Sequence, residues 1–100
     1  MKRPYTLDEL KTLVAPIAKK HGVARVAVFG SYGRNQATQN SDVDLLIEDG
    51  GSMRSLLQLI AFQQDVSDAL RVHVDIVTKG VMDPQLLARI QPDTVMLYEQ

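Results

Sequence analysis

A chain of 100 residues with 45% apolar content suits one compact domain over residues 1–100 and leaves no room for a second, substrate-binding domain. Eleven Lys and Arg against twelve Asp and Glu leave a net charge of −1, so no extended basic surface for nucleic acid is expected. Cysteine is absent, which excludes disulfides, zinc–thiolate centres and thiol nucleophiles, and no apolar run is long enough for a signal peptide or membrane span; a cytoplasmic protein is expected.

In chain order, Thr6 followed by Glu9 predicts a capping box, and Leu10, Leu13, Val14, Ile17 and Ala18 recur at helical spacing until Gly22 supplies a left-handed stop. Ala24 to Phe29 is short and β-rich and runs directly into Gly30-Ser31. Tyr32 to Gln36 has room for one helical turn, and Ala37 to Ser41 is a polar loop before a second strand over about Asp42 to Glu48. Asp49-Gly50-Gly51-Ser52 breaks the chain, with Ser52 as the expected cap of a helix whose apolar residues Leu56, Leu57, Leu59, Ile60, Val66 and Leu70 pack on a sheet. Val72 to Val77 reads as a third strand. Asp83-Pro84 opens a short helix to about Ile90, and Thr94 to Tyr98 is a last edge strand. This alternation predicts one α/β (α+β) sheet with helices mainly on one face.

Strand side chains alternate between faces, so Asp42, Asp44, Leu46 and Glu48 share one face and Val43, Leu45 and Ile47 the other. Two carboxylates held that close repel unless solvent or a cation offsets them. Asp75 lies on the face opposite Val72, Val74 and Ile76. If the two strands are neighbours, three carboxylates converge. Gly30-Ser31, at a strand-to-helix turn, offers backbone N–H groups to an anion, and Gly admits a phosphate where a side chain would block it. Together these features suit a nucleoside triphosphate held through metal ions. Neither a P-loop nor a dinucleotide fingerprint is present.

Each part has an ordinary reading. Gly-Ser is a common turn, Asp42 and Asp44 can also be read as surface acids, and Asp75 as the solvated face of an edge strand, with His73 simply facing solvent. A calcium loop is disfavoured because Leu45-Leu46-Ile47 occupies the stretch where oxygen ligands belong.

The combination is specific. Gly30-Ser31-Tyr32-Gly33-Arg34 through Ser41-Asp42-Val43-Asp44-Leu45-Leu46-Ile47, with Val74-Asp75-Ile76-Val77 downstream, resembles the nucleotidyltransferase superfamily related to DNA polymerase β. Within it the chain resembles the minimal nucleotidyltransferases (MNT), antitoxins of prokaryotic toxin–antitoxin pairs, down to the tail Val95-Met96-Leu97-Tyr98-Glu99. The resemblance implies the small mixed-sheet nucleotidyltransferase fold. It makes Gly30 and Ser31 triphosphate binders and Asp42 and Asp44 ligands of two Mg²⁺ ions. Asp75 becomes the third carboxylate, completing a metal site and helping deprotonate the attacking hydroxyl. Arg34 fits the pattern, in contact either with phosphate or with the loop. Gly33 stands where Ala is usual and loosens the helix start, whereas Asn35 stands where Gly is usual and tolerates the left-handed backbone. Tyr32 occupies a variable position, over a nucleotide base or exposed in the loop.

By resemblance the chain is a protein adenylyltransferase. It moves AMP from ATP onto a hydroxyl, a tyrosine, of a HEPN-type ribonuclease toxin. A second reading is a non-catalytic antitoxin that masks the toxin through apolar positions such as Leu86, Leu87 and Met96, positions that core packing explains equally well. A third is a KH-like RNA-binding module, since Gly30-Ser31-Tyr32-Gly33 satisfies Gly-x-x-Gly, although a KH loop joins two helices.

Overall fold

The computed structural model describes residues 4–49, 55–81 and 83–100, the side chain of Val81 excepted. Its elements are α1 (Leu7–His21), β1 (Val23–Phe29), α2 (Gly30–Gly33), β2 (Val43–Asp49), α3 (Leu56–Leu70), β3 (Val74–Thr78), α4 (Pro84–Ile90) and β4 (Val95–Glu99). Short 3₁₀ turns occupy Lys79–Val81 and Gln91–Asp93.

The local signals act as their chemistry dictates. Thr6 Oγ1 accepts from the Glu9 N–H at 3.1 Å, and Glu9 Oε1 accepts from the Thr6 N–H at 2.9 Å, which closes the capping box of α1. Gly22 ends that helix at φ 72°. Asp83 caps α4 by accepting the Gln85 N–H, with Pro84 at the first helical position. The cap of α3 is Ser55, whose Oγ accepts the Gln58 N–H at 3.2 Å; the expected cap Ser52 lies outside the described residues.

Four strands form one mixed sheet in the order β3-β2-β1-β4. β1 pairs antiparallel with β2 and β4, whereas β2 pairs parallel with β3, with α3 as the crossover between them. Leu10, Val14 and Ala18 of α1 and Phe62, Val66 and Leu70 of α3 bury against Val26, Val28, Val43, Leu45 and Ile47 of the sheet. The two long helices thus cover one face, as the alternation predicts. Along α3 the i, i+4, i+8 row Phe62, Val66, Leu70 reaches the sheet. Leu56 and Leu57 in the first turn stay exposed, at 70% and 77%, and Ile60 does so too, so the expectation that they pack on the sheet fails. The helix presents one row inward, and these three are off it.

The opposite face of the sheet is charged. Glu48 takes Arg25 at 3.3 Å and Lys79 at 3.2 Å, and Arg25 Nε reaches Glu99 at 2.8 Å. Leu86 and Met96 lie exposed and outside the core. Among the described residues no helix is long and apolar enough to cross a membrane.

Candidate active site

The site begins where β1 runs out. Phe29 is the last residue of β1 and pairs with Asp44, and Gly30 then turns the chain at φ 68° into α2. A Cβ at Gly30 would overlap Asp44 Oδ2. Glycine is therefore favoured twice at this position, for its left-handed backbone and for the carboxylate packed against it. The first turn of α2 leaves backbone N–H groups without intrahelical acceptors beside that carboxylate.

The parallel register of β2 and β3 sets Asp44 beside Asp75 and Val43 beside Val74. Val43, Leu45 and Ile47 are buried against the helices, so Asp44 faces the other way, with Asp75 on the same side. Asp42 immediately precedes β2, held by a tight loop in which the Thr38 N–H donates to Ser41 Oγ at 2.8 Å and the Ser41 N–H to Thr38 O at 3.1 Å. The three predicted carboxylates therefore converge. Burial pushes the Asp44 carboxyl above the ordinary carboxylate range. The negative charges of Asp75 and Asp42 add to the shift, as does a hydrogen bond with Asp75, and the Arg34 guanidinium opposes it.

His73 belongs to this cluster, a part that its reading as a merely solvent-facing residue missed. It is exposed, as expected, yet its Nε2 lies 2.8 Å from Asp75 Oδ1, and ligand atoms of Asp42, His73 and Asp75 all fall within 4.8 Å of one another. The hydrogen bond to Asp75 raises the His73 pKa above its ordinary value, helped by the surrounding negative charge. The i, i+2 spacing of His73 and Asp75 was the available signal, since it puts both on one face of a strand.

Around the turn, four residues have clear positions. Tyr32 is not the exposed loop residue that one reading expected: it is 4% exposed within the core, and its hydroxyl accepts the Tyr5 N–H at 3.3 Å. Asn35 adopts φ 58°, the left-handed backbone expected of it. Gly33 has a packing role. A Cβ there would overlap the Asp93 carbonyl oxygen, so its lack of a side chain lets the 91–93 turn pack on α2. Arg34 sits between these parts, with Nη1 3.8 Å from Asp93 Oδ2 and Nε donating to Gln36 Oε1 at 3.4 Å. Gly30 to Gly33 thus forms a strand-to-helix turn, unlike the helix-to-helix loop of a KH domain.

The donor set suits a hard divalent cation: three carboxylates on one face, one of them raised by burial and then by like charge, which a cation offsets. Carboxylates that hold such an ion beside exposed N–H groups can bind and orient a polyphosphate.

Comparisons with known proteins identify the family and the fold. Residues 8–95 match the family profile described as a nucleotidyltransferase domain. A protein of Methanocaldococcus jannaschii, provisionally named a protein adenylyltransferase, is 38% identical over 89% of this chain and 95% of its own length. A solved structure provisionally described as a minimal nucleotidyltransferase superposes with a TM-score of 0.76 at 31% identity, covering 91% of this chain and 95% of that one. The fold is also shared, at a TM-score of 0.72 and 14% identity, with a chain in the complex of a tri-AMPylated Shewanella oneidensis HEPN toxin and an MNT antitoxin, covering 95% of this chain and 74% of that chain.

Proposed function

This chain belongs to the nucleotidyltransferase domain family and is a nucleotidyltransferase enzyme, and on that premise we propose that it is an AMPylating antitoxin acting in the cytoplasm. Its donor is ATP and its acceptor a hydroxyl of a HEPN-type toxin, a tyrosine. The name of the Methanocaldococcus relative supports adenylyl transfer to protein, and the Shewanella complex of the same fold supports the toxin partner.

The family implies a nucleotide substrate and a divalent metal. Asp42, Asp44 and Asp75 are the residues that would hold Mg²⁺, two ions in this reading, and the metal would supply charge neutralisation during the displacement at phosphorus. The chain's own groups do the rest. Backbone N–H groups at Gly30 and Ser31 orient the triphosphate, and Gly30 keeps the approach open above Asp44. Arg34, within electrostatic reach of Asp44, adds positive charge on the phosphate side while Asp93 braces it. The acceptor hydroxyl oxygen forms a bond to the α phosphorus as the bond from that phosphorus to the β-bridging oxygen breaks. Pyrophosphate leaves, and the hydroxyl proton passes to the Asp75 carboxylate.

The observation that carries this reading is the shared register of Asp44 and Asp75 next to a glycine whose left-handed backbone and missing side chain leave room for the Asp44 carboxylate. Incubating the chain and its toxin with ATP labelled at the α or the γ phosphate tests it: α label should appear on the toxin, and γ label there would refute AMP transfer. Replacing Asp42 and Asp44 by Ala should abolish protection against the toxin. Protection that survives would instead favour masking by binding.

A further inference from the structure

The parallel ladder at the site extends one rung beyond the paired strands. The Val43 N–H donates to His73 O at 3.0 Å, so Asp42 lies beside His73 just as Asp44 lies beside Asp75. Residues 42, 44, 73 and 75 thus form two successive rungs on one face, and three of the four are carboxylates.

The backbone around His73 is held from both sides. Ser67 Oγ donates to Val72 O at 2.8 Å and Gln63 Nε2 to Val74 O at 2.6 Å, so α3 fixes the residues flanking it, while β2 fixes its own carbonyl. The imidazole is nonetheless open to solvent, at 62% exposure, beside Asp75 at 53%. A rigid backbone with an accessible side chain is the arrangement of a pre-formed ligand.

The 2.8 Å between His73 Nε2 and Asp75 Oδ1 matches two adjacent ligands on one octahedral ion, which sit about 3 Å apart when metal–ligand bonds are about 2.1 Å. A bound ion takes the place of the proton that these two atoms share. Imidazole nitrogen is a poor partner for Mg²⁺, which keeps to oxygen and water, but it serves first-row transition ions well.

We infer that His73 is a metal-selectivity residue that ligates a divalent transition ion together with Asp42 and Asp75, giving this site a preference for Mn²⁺ over Mg²⁺ that its carboxylates alone would not confer. The inference rests on the metal-dependent reading of the site proposed above.

Pulsed electron paramagnetic resonance of the full chain loaded with Mn²⁺ reads the bond directly: nitrogen-14 coupling to the manganese is expected, and its absence would overturn the inference. The coupling should vanish in His73→Gln, whose amide still donates to Asp75. That variant should lose about tenfold in Mn²⁺ affinity by titration and keep its Mg²⁺ affinity. Equal losses for both ions would reduce His73 to a group that merely positions Asp75 and would also overturn the inference. Asp42→Asn separates the two levels. If it leaves Mn²⁺ binding intact, the metal site itself fails, whereas loss of binding in Asp42→Asn with an unchanged Mn²⁺ to Mg²⁺ ratio in His73→Gln defeats the histidine's role alone.

Discussion

Asp44 and Asp75 stand side by side on the parallel β2–β3 ladder, close enough for a hydrogen bond between their carboxyl groups. Neighbouring strands in parallel register put like charges next to each other at a point where β1 has already turned away through Gly30. The fold holds this repulsion in place because Val43, Leu45, Ile47 and Val74 on the reverse side are buried.

Burial of Asp44, with the repulsion added to it, has a pH signature. Because the Asp44 carboxyl is raised in the fold, the folded state binds that proton more tightly than the unfolded chain does, so its contribution to stability falls as pH rises. The penalty is absent below the ordinary carboxylate value and complete above the raised one. Without metal, Asp44→Asn should therefore melt at a higher temperature than the native chain at neutral pH, and the gap should close on acidification. Mg²⁺ should raise the melting temperature of the native chain and leave the variant nearly unmoved. Thermal melts from about pH 3 to about pH 8 check both; a constant gap would mean that Asp44 is unstrained.

Two glycines three residues apart should fail in different ways. Gly30→Ala forces a left-handed backbone, at roughly 1–2 kcal/mol, and drives a methyl group into Asp44, so Mg²⁺ binding by calorimetry should drop along with stability. Gly33→Ala meets the Asp93 carbonyl and costs about 1–3 kcal/mol by overpacking. Its Mg²⁺ affinity should survive, since the carboxylates are untouched. Loss of metal binding in Gly33→Ala alone would contradict this division.

Tyr32 anchors the turn from inside. Tyr32→Phe removes the acceptor of the Tyr5 N–H and should cost about 0.5–1.5 kcal/mol in urea unfolding with nucleotide binding retained. Tyr32→Ala, which empties a core position, should cost about 3–5 kcal/mol. A selective loss of ATP affinity in Tyr32→Phe, with stability unchanged, would return the hydroxyl to the nucleotide.

At the far end of α1, His21 Nε2 lies 2.7 Å from Asp65 Oδ2, tying this helix to α3 with Lys20 at 3.5 Å. The hydrogen bond with His21 holds the Asp65 carboxyl below its ordinary value. A depressed carboxylate stabilises the fold above its unfolded pKa and loses that contribution as pH falls through its folded one. Asp65→Asn should therefore be less stable than the native chain near neutrality and converge with it in acid. Denaturant midpoints against pH decide this, and a gap that widens in acid would reverse the sign.

How much of this was legible in the residues follows from the range of each interaction. Thr6 with Glu9, Gly22 and Asp83-Pro84 act within one helical turn, and strand alternation acts between successive residues, so the elements and the common face of Asp42 and Asp44 were set by local chemistry. The absence of cysteine likewise excluded thiolate ligands. Strand neighbours are another matter, because the order β3-β2-β1-β4 joins residues 31 positions apart, as Asp44 and Asp75 are. Only that order puts Asp75 next to Asp44 and His73 next to Asp42, buries Tyr32, and brings Asp93 onto Gly33. Periodicity tells which face a side chain takes, and pairing through the packed core decides what it meets there.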